Sequence, residues 1–145
     1  MTTEKTEVTA AEIPSLIFNF TGVDITTGKV AEEKMGLLNE KLTIGTKSRM
    51  QKIVNLLEAE YKEYQKLFIE LLKKYGATEE NEGHLSLAPE KRTPEFNEEF
   101  QELLTQKITL GAFDRVNFKQ IEDIESEAVY AIDLLAPRFI SNYGD

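Results

Sequence analysis

Apolar and aromatic side chains stand at Met50, Val54, Leu57, Tyr61, Tyr64, Phe68, Leu71 and Tyr75, in alternating steps of four and three. That spacing returns to one face of an α-helix, and neither Gly nor Pro interrupts it between Thr46 and Tyr75. Thr46 or Ser48 can cap the start, and Gly76 stands where a helix-ending glycine belongs. At 1.5 Å per residue the predicted helix, about 46–75, is about 45 Å long. Ile53, Leu56, Leu67, Ile69 and Leu72 widen the seam, which predicts a globular core with neighbours on two sides rather than an isolated coiled coil. The outer face pairs Glu58 with Lys62 and Glu70 with Lys74 at i,i+4 spacing, each worth a few tenths of a kcal/mol.

Elsewhere the pattern is shorter. Residues 1–12 are polar and aperiodic, which predicts a flexible N-terminal arm ahead of a single globular domain over 13–145. Residues 16–25 are rich in β-branched and aromatic side chains and, with Phe18 and Phe20 alternating, predict a strand. Val30 to Asn39 predicts a short helix weakened by Gly36, and residues 41–45 an extended connector. Leu85 and Leu87 flank Ser86 like a short strand beside a polar turn. Thr93-Pro94 opens a helix with a threonine cap and a first-turn proline, its stripe being Phe96, Phe100, Leu103 and Leu104. Residues 107–110 alternate like a strand, Val116, Phe118 and Ile121 follow a loop at Gly111, and Ser126 can cap a last helix stopped by Pro137. The expected fold is α+β and mainly helical: one long central helix, two or three shorter ones, and a small antiparallel sheet from residues near 16–25, 85–87 and 107–121.

Composition narrows the function. The 145 residues include no cysteine and one histidine, which excludes disulfide scaffolds, thiol catalysis, iron–sulfur clusters and any site needing two histidines. The net charge of −9 argues against a nucleic-acid binder, since phosphate neutralisation needs clustered Lys and Arg. The polar opening lacks the apolar core of a secretory signal, and no run approaches the roughly 20 apolar residues of a membrane span. Charge is uneven: residues 46–75 hold seven basic and four acidic side chains. The long helix is thus the basic element of an acidic chain, and the acidic C-terminal half is expected to lie across it.

Candidate chemistry is sparse. His84 could serve as a general base, but no nucleophile motif accompanies it and a solvated turn residue is the plainer reading. Glu122, Asp123, Glu125 and Glu127 do not follow a calcium-loop spacing and read as the acidic start of a helix; Glu79, Glu80 and Glu82 read as solvated loop. Lys47, Arg49 and Lys52 form a small basic group at the long helix's N-terminus and read as partners for carboxylates. No phosphate-binding glycine loop occurs. No catalytic residue, cofactor or metal is expected.

Two short helices cannot cover a 45 Å seam, so apolar surface is expected to meet a second copy or another protein. The candidate interface is Tyr64, Phe68 and Leu71 on the long helix, with Phe139, Ile140 and Tyr143 in the apolar C-terminal tail. The series Lys41-Leu42-Thr43-Ile44-Gly45-Thr46-Lys47, the helix ending Lys73-Lys74-Tyr75-Gly76, Phe96-Asn97-Glu98-Glu99-Phe100, Lys107-Ile108-Thr109-Leu110 and Ile121-Glu122-Asp123-Ile124 resembles a loose group of small phage-encoded proteins of unknown function, over about residues 37–135. The resemblance implies a phage setting, in host cytoplasm or virion, and carries over no functional residues. The expected role is a non-enzymatic protein–protein interaction protein, as a virion structural or assembly component, with an acidic inhibitor of a host defence protein as the alternative. An enzyme working through carboxylates alone is the third reading.

Overall fold

Ile13, Leu16, Ile17 and Phe20 recur at helical spacing with Pro14 in the first turn, and all four are buried. The structure, a computed structural model, describes residues 6–25, 29–30, 36–39, 42–80, 84–121, 135 and 138–141. Strand β1 (Glu7–Thr9) leads through a 3-10 turn at Ala10–Glu12 into helix α1 (Ile13–Thr21). Two expectations give way here. Residues 7–12 are not an arm: Val8 and Ala10 are buried and β1 is paired into a sheet. Residues 16–21 are helix rather than strand, because the i, i+3, i+4, i+7 set that begins at Ile13 outweighs the local alternation of Phe18 and Phe20. The helix stops at Gly22, whose amide donates to the Phe18 carbonyl at 2.7 Å.

Strands β2 (Val23–Asp24) and β3 (Lys29–Val30) pair antiparallel, so Val30 starts no helix, and a 3-10 turn follows at Leu37–Asn39. Gly36 has φ +116°, and a Cβ there would stand 2.5 Å from the Gly22 nitrogen. The close approach of these two backbones requires glycine.

Helix α2 (Ile44–Lys74) is the predicted long helix. Its cap is Thr43, whose hydroxyl accepts from the Thr46 amide at 3.2 Å, while the Thr46 hydroxyl is buried against it at 2.8 Å. At the other end Gly76 takes φ +87°, its amide reaching Lys73 O and that of Ala77 reaching Leu72 O. This reciprocal pair satisfies carbonyls that the helix leaves open.

Beyond it, strands β4 (Thr78–Glu80) and β5 (His84–Ser86) form an antiparallel hairpin. A 3-10 turn at Pro89–Lys91 leads into helix α3 (Pro94–Thr105), capped by Thr93 accepting from the Phe96 amide. Strand β6 (Lys107–Thr109) runs antiparallel to β1 with Val8 opposite Ile108. Strand β7 (Val116–Asn117) pairs parallel with β8 (Ile140–Ser141), Val116 opposite Ile140. The fold is α+β and mainly helical, and its strands form separate two-stranded pairs rather than one sheet. Among the described residues no helix is long and apolar enough to cross a membrane. The expected helix over 126–136 lies outside the described residues apart from Leu135, which is fully buried.

Two hydrophobic clusters result. The larger gathers α1 and β1 around Met50, Ile53, Val54 and Leu57 of α2, closed by Leu37, Leu110, Val116, Ile121, Leu135, Phe139 and Ile140. The smaller, at the far end of α2, is Leu72, Leu87 and Phe96, with Phe68, Leu71, Tyr75, Leu85 and Phe100 packed on it. Helix α2 spans both.

Candidate protein-interaction face

The seam of α2 changes character along its length. Met50, Val54 and Leu57 are buried, whereas Tyr61, Tyr64, Phe68, Leu71 and Tyr75 are half-buried. The reason is what lies opposite. Among the described residues, α1, β1 and the residues that close the larger cluster converge on the first half of the helix, whereas Leu72 and its neighbours near the far end pack with the β4–β5 hairpin and α3. Aromatic rings bridge the difference. Tyr61 and Tyr64 lie 5.7 Å apart, Tyr64 stacks on Phe68 at 6.1 Å, and Phe68 meets Phe100 of α3 at 5.2 Å. Partial burial raises the hydroxyl pKa of both tyrosines, with the Asp24 charge adding at Tyr61.

Beside this ladder, an open groove of about 360 Å³ runs between α2 and α3. Leu67, Leu71 and Leu103 make its apolar part; Glu99, Glu102 and Gln106 make its polar edge. Leu67 is 44% exposed, a large aliphatic side chain left in water beside half-covered neighbours. One end is fixed by Glu99, whose carboxylate accepts from Lys74 Nζ at 2.6 Å and from the Tyr75 hydroxyl at 2.5 Å. Those two bonds hold the Glu99 pKa below its ordinary value, and the same carboxylate pushes Tyr75 up to about 12. Lys74 therefore turns to α3 rather than to Glu70. Lys74 of the basic helix thus meets the acidic α3 at this point.

Of the six expected interface residues, Tyr64, Phe68 and Leu71 sit together on this face. Phe139 and Ile140 do not. Both are fully buried: Phe139 packs edge-on to Phe20 at 6.0 Å and stacks on Phe113 at 5.6 Å, and Ile140 is held in the β7–β8 pair. An apolar C-terminal tail reads equally as core or as interface in sequence, and here it closes the core. Tyr143 lies outside the described residues, as do Glu122, Asp123, Glu125 and Glu127. His84 opens β5. Lys47, Arg49 and Lys52 stand on the first turns of α2, where Arg49 donates to Gln120 Oε1 at 3.4 Å. Sequence reasoning noted Leu67 and Leu103 only as seam and stripe residues. What it missed is that the two edges face each other across a gap, which requires knowing that α3 folds back along α2.

Nothing in the groove is arranged for bond chemistry: its edge offers two carboxylates and an amide, one of the carboxylates already engaged by Lys74 and Tyr75. It can bury apolar side chains and attract positive charge. No protein-family model, curated protein or solved structure matches the chain.

Proposed function

We propose that this chain is a non-enzymatic interaction protein whose working surface is the α2–α3 face. Its resemblance to small phage-encoded proteins makes a virion structural or assembly component the best reading. The observation that carries it is Leu67, exposed beside half-covered Tyr64, Phe68 and Leu71 on a helix whose first half buries its seam residues Met50, Val54 and Leu57. Contiguous apolar surface of this kind marks contact sites on soluble proteins.

The test is Leu67→Glu. Because Leu67 is exposed, the variant should keep its helix content and thermal transition while losing the protein it co-purifies with in infected cells. Unchanged capture overturns the reading. Mass spectrometry of purified particles tests the virion role, which fails if the chain is absent from them. Phe68 is a poorer probe, since its ring is packed on Phe100 and a charge there would also disturb the smaller cluster.

The second reading, an acidic inhibitor of a host defence protein, draws on α3. Glu95, Glu98 and Glu102 are exposed there. It predicts binding that weakens steeply with salt and that survives Leu67→Glu.

A further inference from the structure

Resting on the interaction reading above, we infer that the groove between α2 and α3 takes a basic amphipathic helix from a different protein. The apolar part fixes the shape of the occupant. Leu67 and Leu71 are one turn apart on α2 and Leu103 faces them from α3. A helix laid along the groove presents side chains at i, i+4 and i+7 to such a line. The edge fixes its charge. Glu99 is already engaged by Lys74 and Tyr75, but among the described residues no ion pair involves Glu102, the other carboxylate of the lining. The α3 side of the groove therefore carries uncompensated negative charge beside an apolar floor, which Lys or Arg flanking a leucine face would meet. A second copy would bring the same acidic α3 edge, and its chain as a whole carries −9, so a basic helix of another protein is the better match.

Helix geometry supplies an internal control. Ile69 is 43% exposed and Leu67 44%, yet two residues of helix place them about 200° apart around the axis. Only Leu67 lines the groove.

The probe is a synthetic peptide of about four helical turns, with leucines at i, i+4 and i+7 flanked by Lys and Arg, titrated into the full chain by fluorescence anisotropy. One control peptide replaces the leucines with serine; a second replaces Lys and Arg with Glu. We expect the basic leucine peptide to bind, with affinity falling as salt is raised. Leu67→Ser and Leu103→Ser should each weaken it about tenfold, Glu102→Lys should weaken it too, and Ile69→Ser should leave it unchanged, all four variants keeping wild-type helix content. Absence of binding, equal binding of the serine or the acidic peptide, or an Ile69→Ser loss matching that of Leu67→Ser overturns the inference. The two readings fail separately. A natural partner released by Leu67→Glu, from a chain that ignores the basic peptide, keeps the interaction role and removes this occupant.

Discussion

Glu99 of α3 bonds two side chains at the end of α2. Its folded carboxyl sits below the ordinary value of 4.5, because Lys74 and Tyr75 both donate to the ionised form. The stabilisation this gives is fully present above that ordinary value and is lost as pH falls through the lower folded one. Glu99→Gln should therefore unfold at lower urea than wild type at pH 7, and the gap between their midpoints should close in acid; a gap that persists at low pH contradicts the assignment. Tyr75 reports from the other side: with its hydroxyl at about 12, it should be the last tyrosine of this face to ionise, and Glu99→Gln should bring that ionisation earlier. At the opposite end, Glu12 accepts from the Thr9 amide at 3.1 Å and the Thr9 hydroxyl at 3.0 Å and pairs with Arg138, which also donates to Glu7 O. Burial raises the Glu12 pKa, but these bonds outweigh it and leave it lowered. Glu12→Ala should cost about 1 kcal/mol by denaturant titration, the size of a lost helix-start contact.

Among the elements, α1 carries the packing. Phe20 is fully buried against Phe139, and Phe20→Ala should cost about 3–5 kcal/mol, a large part of the stability of a domain this size. Gly36→Ala should cost more than about 1 kcal/mol, because the positive φ and the Gly22 backbone at 2.5 Å both oppose a Cβ. Thermal melts of the two variants check both. The elements also show where sequence is sufficient. Helix α2 was legible from its long period and terminal glycine, although its cap is Thr43 rather than Thr46 or Ser48, and α3 from its threonine cap and first-turn proline. Helix α1 was not, since its nine residues allow only about two and a half turns of period and its aromatic content speaks for a strand. Strand β1 was invisible: its three residues are mostly polar, and only pairing with β6, about a hundred residues later, orders them. The groove was half legible. Tyr64, Phe68 and Leu71 stood out on one helix, but the wall that α3 supplies depends on tertiary contact.

At the scale of the molecule, α2 joins two clusters of unequal size, and the smaller should open first. Leu87→Ala should raise amide exchange in β4, β5 and α3 while α1 stays protected, whereas Ile53→Ala should lower protection everywhere. Equal loss of protection in both variants would show a single cooperative unit. A surface that opens easily also adapts easily to a partner, which suits a contact built at the smaller cluster.

The burial of Phe139 and Ile140 has a consequence for biosynthesis. The larger cluster joins Phe20 to Phe139, more than a hundred residues apart, so both segments must have left the ribosome before this core can close. Until residues 139–141 emerge, α1 and the first half of α2 present an unfinished apolar surface to chaperones and neighbouring nascent chains. A stop codon after Pro137 should therefore yield a collapsed, aggregation-prone product without a cooperative melt, rather than a trimmed native protein.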